Sequence, residues 1–212
     1  MSSATPPTAT LTPVSSFDGK EYQARFDALA DRGIDVHGEA TLVHSLVEKL
    51  SGIRHRTPGS VLDAGCGTGR VAIELARLGV TTLGVDADGS MIAEASRRAP
   101  ELEWRHADLV GLALHRVFDV VVLAGNVPLF TPPGTQHALV TACAAHVAPG
   151  GALVAGFQLG RGYELSAFDA SCTDAGLRIT DRWSTWGRAP FSPSDDYAVS
   201  VASASATLST SP

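Results

Sequence analysis

The segment that most constrains the fold is the run VLDAGCGTGRVAIELARLG at residues 61–79. It begins with a short apolar stretch, passes through closely spaced glycines, and continues with apolar residues at helical spacing. This pattern predicts a strand, a tight turn and a helix. The free N–H groups at the start of such a helix attract anions, so a phosphate or a carboxylate suits this turn.

The glycine spacing differs from that of NAD-binding proteins. Their fingerprint is GxGxxG, whereas Gly65, Gly67 and Gly69 place the third glycine one position early. Arg70 also stands where that fingerprint has a small residue. An NAD-dependent reductase is therefore an alternative that the spacing argues against.

Strands and helices alternate from residue 60 onward, which predicts a parallel sheet covered by helices on both faces. The predicted strands are 61–63, 81–85, 102–106, 119–124, 152–157, 177–186 and 197–202. The predicted helices are 22–33, 38–50, 68–78, 90–98, 135–147 and 164–175. The last two strands form a wide hairpin, which adds an antiparallel strand to the sheet.

We expect one domain over residues 17–203, made of a helical cap at 17–59 and a Rossmann-like core at 60–203. The cap is expected over the carboxyl edge of the strands, where ligands bind in open α/β sheets. The segments 1–16 and 204–212 are rich in Ser, Thr or Pro, and are predicted to be disordered tails.

The amino-acid composition argues against two classes of partner, nucleic acids and membranes. The net charge of −6 argues against a nucleic-acid partner, since such proteins usually present a basic face. No apolar run reaches about 18 residues, and the N-terminus does not resemble a secretory signal, so no membrane association is expected. The 3 cysteines are too few for a disulfide framework, and a cytoplasmic location is the expectation.

Two aspartates follow the next two predicted strands. Asp86 lies about 20 residues beyond the glycines, where a carboxylate accepts hydrogen bonds from ribose hydroxyls. Asp108 can accept from an adenine amino group, with Ala107 and Leu109 packed beside the ring. The alternatives are that Asp86 caps the following helix and that Asp108 is a turn residue.

Two further segments complete the pattern, FDVVVLAGN at 118–126 and VAPGGALVAGF at 147–157. In this order and at these spacings, the chain resembles the class I S-adenosylmethionine-dependent methyltransferases, closely over residues 60–158. The segments GIDVHGEA, AGNVPLF and RWSTWGRAPF are similar to small actinobacterial members. The resemblance implies a doubly wound, mostly parallel sheet of seven strands, with S-adenosylmethionine as methyl donor and S-adenosylhomocysteine as product.

The resemblance also implies a set of cofactor-binding residues. Asp63 would lie near the amino group of the cofactor, and Ala124 and Gly125 would face its sulfonium. Met91 would pack near the adenine, although a core role is the alternative. The full set implied is Asp63, Gly65, Gly67, Asp86, Ala87, Met91, Ala107, Asp108, Leu109, Ala124 and Gly125.

Methyl transfer to a hydroxyl needs a base that takes its proton, and histidine or a carboxylate suits that task. His137 follows the loop at 126–134, which borders the acceptor pocket in the resembled fold. His37 and Glu39 lie where the cap is expected to meet the cofactor. These three residues are the candidate catalytic groups. The predicted acceptor pocket is lined by Tyr22, Phe26, Asn126, Phe130 and Trp186, with the hairpin core as the alternative for Trp186.

The sequence thus predicts an enzyme that methylates a small molecule, most simply at the hydroxyl of a sugar or a secondary metabolite, for example in polysaccharide biosynthesis. The alternatives are N-methylation of a small amine and a non-catalytic protein that binds the cofactor as a sensor or partner. Residues 126–130 lack two features of the [DN]PPY sequence found in amino-methylating nucleic-acid enzymes, the second proline and an aromatic at the matching position. Use of a divalent metal such as Mg²⁺ is not excluded, but the sequence assigns no ligands to it. The protein is expected to be a monomer or a homodimer.

Overall fold

The structure, a computed structural model, describes residues 18–33, 35–54 and 59–206. The predicted tail at 1–16 and the end of the chain beyond residue 206 lie outside these ranges. The helices are α1 Gly19–Asp31, α2 Gly38–Arg54, α3 Arg70–Arg77, α4 Gly89–Arg98, α5 Val127–Phe130, α6 Gln136–Ala144 and α7 Leu165–Asp174. The strands are β1 Ser60–Ala64, β2 Thr81–Asp86, β3 Glu103–His106, β4 Phe118–Leu123, β5 Val147–Gln158, β6 Leu177–Trp183 and β7 Tyr197–Ala204.

The strands form one sheet in the order β3-β2-β1-β4-β5-β7-β6. All neighbouring pairs are parallel except those of β7, which runs antiparallel to both β5 and β6. The crossover through α7 places β6 parallel to β5 but one position away from it, and the hairpin then folds β7 back into the gap. The predicted doubly wound sheet of seven strands is confirmed.

The sheet is buried on both faces, as the alternation of strands and helices predicts. Every residue of β4 is buried, because this strand lies at the centre of the sheet. Side chains of α6 and α7, such as Leu139 and Phe168, pack on one face with Leu62. Side chains of α2 and α3, such as Val43 and Leu75, pack on the other face with Val61.

The predicted helical cap divides into two parts. Helix α2 is not at the carboxyl edge, because Ala40, Val43 and Val47 are buried against the valines of β1 and β4 on a face of the sheet. Helix α1 does reach the carboxyl edge, where Tyr22 lies beside the glycine turn. The apolar stripe of α2 requires a sheet face, whereas the buried residues of α1 are only Gly19 and Gln23.

Two predicted boundaries are wrong near the amino edge of the sheet. Strand β5 begins at Val147 rather than at residue 152, because Val147 already pairs with Phe118 of β4. At the other end of the chain, β7 runs to Ala204, and the carbonyl of Ser205 accepts a hydrogen bond from the Gly150 N–H at 2.9 Å. The strand and this backbone contact therefore extend past residue 203, into the segment that the sequence analysis assigns to a disordered tail.

His146 lies between α6 and β5, where it has a structural role. Its Nδ1 lies 2.7 Å from the Ala142 carbonyl oxygen, and its Nε2 lies 2.9 Å from the Leu114 amide nitrogen. Both ring nitrogens are thus used by backbone groups. None of the described helices is both long and apolar enough to cross a membrane.

The indole of Trp186 covers Gly156 of β5 at closest packing. A Cβ atom on Gly156 would lie 2.4 Å from Trp186 Cζ2, so a larger residue forces the indole away. We expect Gly156→Ala to lower the free energy of unfolding by about 1–3 kcal/mol, as overpacked cores do.

Urea unfolding of the variant measures this effect. Gly187→Ala is the matched control, since the nearest atom to a Cβ there is 3.6 Å away. Equal unfolding midpoints for the two variants would show that the indole does not need the glycine.

Candidate active site

The glycine turn between β1 and α3 is held against the end of β2. The N–H groups of Gly65 and Cys66 both donate to the carbonyl of Val85, at 2.8 and 3.0 Å. Gly65, Gly67 and Gly69 have φ values of 81°, 53° and 81°, a region that favours glycine. The turn therefore adopts a backbone that other residues would adopt only with strain.

The three glycines have different surroundings. A Cβ on Gly65 would lie 2.5 Å from Val127, and one on Gly69 would lie 2.4 Å from Trp104. These two glycines thus also serve close packing, which is the structural alternative to ligand binding. Gly67 has free space beside it, since a Cβ atom there would lie 3.6 Å from the nearest atom, Cε1 of Tyr22.

A pocket opens at this turn, at the carboxyl ends of β1 and β4. It is lined by Tyr22, Asp63, Gly65, Cys66, Gly67, Thr68, Arg70, Val71, Ala124 and Gly125. The structure thus brings together five of the predicted cofactor-binding residues and one predicted acceptor-pocket residue, Tyr22.

Asp63 places a buried carboxylate in this pocket. The residue is 1% exposed; its Oδ2 accepts from the Ala72 N–H at 3.1 Å, and its Oδ1 has no partner among the described residues. Burial raises the pKa of Asp63 from 3.8 to about 7. A buried oxygen without a partner is costly, and a cationic group of a ligand would satisfy it. Asp63 therefore fits the ammonium group of S-adenosylmethionine.

Asp86 ties the end of β2 to the glycine turn. Its Oδ2 accepts from the Gly67 N–H at 2.7 Å, and its Oδ1 accepts from the Asp88 N–H at 2.9 Å. Burial raises its pKa. The alternative that Asp86 caps the next helix is wrong, because Asp88 is the N-cap of α4 and accepts from the Ser90 N–H at 2.8 Å.

The predicted adenine-binding residues lie beyond β3 and on α4. Met91 is 7% exposed and Leu109 is 4% exposed, and the Ala107 N–H donates to the carbonyl of Asp86 at 3.0 Å. Asp108 is exposed, and its Oδ1 accepts from the Val110 N–H at 2.9 Å, which is the geometry of a turn residue. Ala87 is exposed at the end of β2. The adenine contacts of these residues stay predictions.

Comparison with known proteins finds similar methyltransferases. A family model described as "Methyltransferase domain" matches residues 61–151. A TehB-like S-adenosylmethionine-dependent methyltransferase from Corynebacterium glutamicum has a similar solved structure, with a TM-score of 0.77 and 29% sequence identity over 87% of this chain and 96% of that one. In sequence over residues 61–151 and in fold, the chain is similar to the class I S-adenosylmethionine-dependent methyltransferases.

Curated methyltransferases are similar over part of their length. A "Ubiquinone biosynthesis O-methyltransferase" from Albidiferax ferrireducens is 33% identical over 139 residues, covering 60% of this chain and 54% of the relative. A "dTDP-3-amino-3,6-dideoxy-alpha-D-glucopyranose N,N-dimethyltransferase" from Streptomyces fradiae is 30% identical over 148 residues, covering 69% of this chain and 56% of the relative. The chain spans about half the length of these curated relatives.

Arg70 is a residue of this site to which the sequence analysis gave no role. Its guanidinium forms a two-pronged ion pair with Glu39 at 2.6 and 2.8 Å, and it donates to the carbonyl of Val36. It also lies over the ring of Phe26, 4.7 Å from the centroid. The one feature of the sequence that points to Arg70 is its position, because the dinucleotide fingerprint has a small residue there.

This ion pair changes the interpretation of two predicted residues. Both carboxylate oxygens of Glu39 accept from Arg70, so the side chain is not free to take a proton from an acceptor. Phe26 packs beneath the same guanidinium and against Tyr22, with ring centroids 5.2 Å apart. The structure gives Phe26 a supporting position behind the pocket.

The two candidate histidines do not line the pocket. His37 Nδ1 lies 3.9 Å from Glu74 Oε2 on α3, with no hydrogen-bond partner among the described residues. His137 faces α7, where its Nδ1 lies 3.3 Å from Ser171 Oγ and 4.0 Å from Asp174 Oδ2. Helix α6 packs against α7, so His137 near its start lies beside α7 rather than at the pocket. The structure therefore does not support either histidine as the base.

The remaining acceptor-side residues are spread around the end of β5. The side chain of Phe130 is exposed on α5, and Trp186 Nε1 donates to Tyr197 Oη at 3.1 Å. Asn126 Oδ1 accepts from the Gln158 N–H at 2.8 Å. Within residues 18–33, 35–54 and 59–206, no group of three or more His, Cys, Asp or Glu is arranged to hold a metal ion.

The raised pKa of Asp63 predicts a pH-dependent stability. Because the folded protein holds this proton more tightly than the unfolded chain, stability without cofactor should fall as the pH rises from about 4 to about 7. We expect Asp63→Asn to abolish this dependence and to weaken S-adenosylmethionine binding about tenfold or more, since a charged partner is lost.

Urea unfolding at about pH 5 and pH 8 and calorimetric titration with the cofactor measure the two effects. Asp181→Asn is the control, because that carboxylate is exposed on β6 and does not line the pocket. A cofactor affinity equal to that of the wild type would remove Asp63 from the binding site.

Proposed function

We propose that the protein transfers a methyl group from S-adenosylmethionine to a small-molecule acceptor, with oxygen as the preferred acceptor atom. The observation that carries this proposal is the buried Oδ1 of Asp63, a residue that lines the pocket of the glycine turn; this oxygen has no hydrogen-bond partner among the described residues. The match to the methyltransferase family model and the similar fold of a TehB-like methyltransferase support it.

The cofactor supplies an electrophilic methyl group when it is bound. Asp63 would bind the ammonium group, and the open backbone at Gly67 would lie along the methionine end. Each carboxylate oxygen of Asp86 already accepts one backbone N–H and keeps a lone pair, which suits the ribose hydroxyls. The walls formed by Tyr22 and the β4 end would exclude water and hold donor and acceptor in line.

The acceptor atom is the finer part of the proposal. The names of the curated relatives include both an O-methyltransferase and an N,N-dimethyltransferase of an amino sugar, so an amine is the alternative. Among the residues that the structure describes, Glu39 is engaged with Arg70, the free oxygen of Asp63 is assigned to the ammonium group of the cofactor, and no histidine lines the pocket. Among hydroxyl acceptors, one that ionises readily, such as a phenol, needs the least help in such a pocket. It therefore fits better than a sugar hydroxyl.

The decisive experiment follows methyl groups from labelled S-adenosylmethionine into a cell extract separated into low-mass and macromolecular fractions. Label in a low-mass product supports the proposal and provides the acceptor for mass spectrometry. Label confined to macromolecules would contradict the small-molecule acceptor. Cofactor binding without any transfer would favour a sensor or partner protein.

Asp86 provides a test of cofactor binding. We expect Asp86→Ala to weaken S-adenosylmethionine binding by about 1–3 kcal/mol, because hydrogen bonds to a charged group are lost. Asp86→Asn keeps one oxygen acceptor and should lose less. Titration calorimetry measures both affinities, and a wild-type affinity for the alanine variant would exclude Asp86 from the ribose site.

His137 provides a test of the base. Because its ring faces α7 outside the pocket, we expect His137→Ala to retain a turnover within about threefold of wild type. A base that takes the acceptor proton contributes about 100-fold or more. A loss of that size in the transfer assay would restore His137 as the catalytic group.

A further inference from the structure

Asn126 is the first residue beyond Ala124 and Gly125, which line the pocket. Its backbone has a φ of 68°, in the left-handed region that asparagine tolerates better than most residues. Its N–H donates to the carbonyl of Gly156 at 3.2 Å, and its carbonyl accepts from the Leu129 N–H at 2.8 Å. The backbone of Asn126 is thus fixed between β5 and α5.

The side chain of Asn126 is fixed as well. Its amide lies 2.8 Å from the N–H of Gln158, and only the oxygen end of an amide can accept from an N–H donor. The nitrogen end must therefore point away from Gln158. Nδ2 has no hydrogen-bond partner in the described part of the chain, and it is not among the buried atoms that lack one. Two N–H donors thus have no partner among the described residues, on a half-buried side chain next to Gly125 of the pocket.

We propose that Asn126 Nδ2 donates a hydrogen bond to the acceptor atom and thereby selects oxygen over nitrogen. This inference rests on the proposed function. A hydroxyl or phenolate oxygen has a lone pair that attacks the methyl group and another that accepts from Nδ2. An amine has a single lone pair, which must attack, so it would face Nδ2 with nothing to accept the hydrogen bond.

The orientation of the amide also disfavours an amine. An amine acceptor needs an oxygen to receive its N–H, and Oδ1 of Asn126 is directed at the Gln158 N–H on β5, so the end of the amide left for an acceptor is Nδ2. Discrimination of this kind is strong, since a site built to bond a hydroxyl leaves polar groups unpaired with the wrong substrate.

The transfer step balances with an ionised hydroxyl. The acceptor loses its proton to water, and the N–H donor stabilises the oxygen anion beside the cofactor. The oxygen then forms a bond to the methyl carbon as the carbon–sulfur bond breaks. The electron pair of that bond stays on sulfur, which gives S-adenosylhomocysteine and a methyl ether.

The Asn126→Asp variant tests the choice of acceptor atom separately from the contribution of Asn126 to the fold. Aspartate keeps an oxygen for the Gln158 N–H and tolerates the left-handed backbone, but it replaces the two donors with a second acceptor. We expect unchanged unfolding and unchanged S-adenosylmethionine affinity. We also expect kcat/KM for a hydroxyl acceptor to fall about tenfold or more relative to that for its amine counterpart.

Asn126→Gly is the matched control for structure. Glycine adopts the same φ without strain but removes the bond to Gln158, so it should reduce transfer to both kinds of acceptor and lower stability. The probes are catechol, 2-aminophenol and aniline, together with a low-mass cell extract, and mass spectrometry identifies the methylated atom.

Methyl ethers from the wild-type protein, with a loss of oxygen preference in Asn126→Asp, support the inference. Methylamines as the wild-type product, or an Asn126→Asp variant with wild-type preference, would overturn it while leaving the proposed methyl transfer intact. If the wild-type protein produced no methylated compound from any probe or from the extract, both the inference and the proposed function would fail.

Discussion

The guanidinium of Arg70 connects three separate segments of the chain at the site. It pairs with Glu39 at the start of α2, bonds the carbonyl of Val36 in the linker, and covers Phe26 of α1. Arg70 is also the first residue of α3, directly after the glycine turn. The start of α2, one side of α1 and the cofactor turn are therefore joined by one planar cation, and α1 contributes Tyr22 to the pocket.

The two N-terminal helices are attached by different forces. Helix α2 buries an apolar stripe on the sheet, whereas α1 is held by close polar contacts. The buried Thr68 hydroxyl bonds Gln23 at 2.5 Å, and a Cβ on Gly19 would lie only 2.7 Å from the Ser90 carbonyl. Polar contacts are short-ranged and directional, so the position of α1 depends on the conformation of the glycine turn beneath it.

The sequence predicts the sheet and the cofactor turn well because both depend on local signals. The period of apolar residues determines the elements, and fixed spacings bring Asp63, Gly67 and Gly125 to one edge. The catalytic candidates have no such signal. Glu39 is engaged by Arg70, which lies 31 residues later, and the direction of His137 depends on how α6 packs against α7. The early start of β5 likewise follows from pairing with β4 rather than from the Pro-Gly-Gly sequence.

The two edges of the sheet are both unsuited to further pairing. At one edge, Glu103 of β3 pairs with Arg116 at 2.8 Å, and Arg105 is exposed. At the other edge, the register of β6 breaks between Ile179 and Asp181, where the strand exposes charged residues. Charges and irregular strands prevent edges from recruiting strands of other molecules. Aggregation by strand addition is thus discouraged at both ends, although the sheet itself carries a long apolar centre.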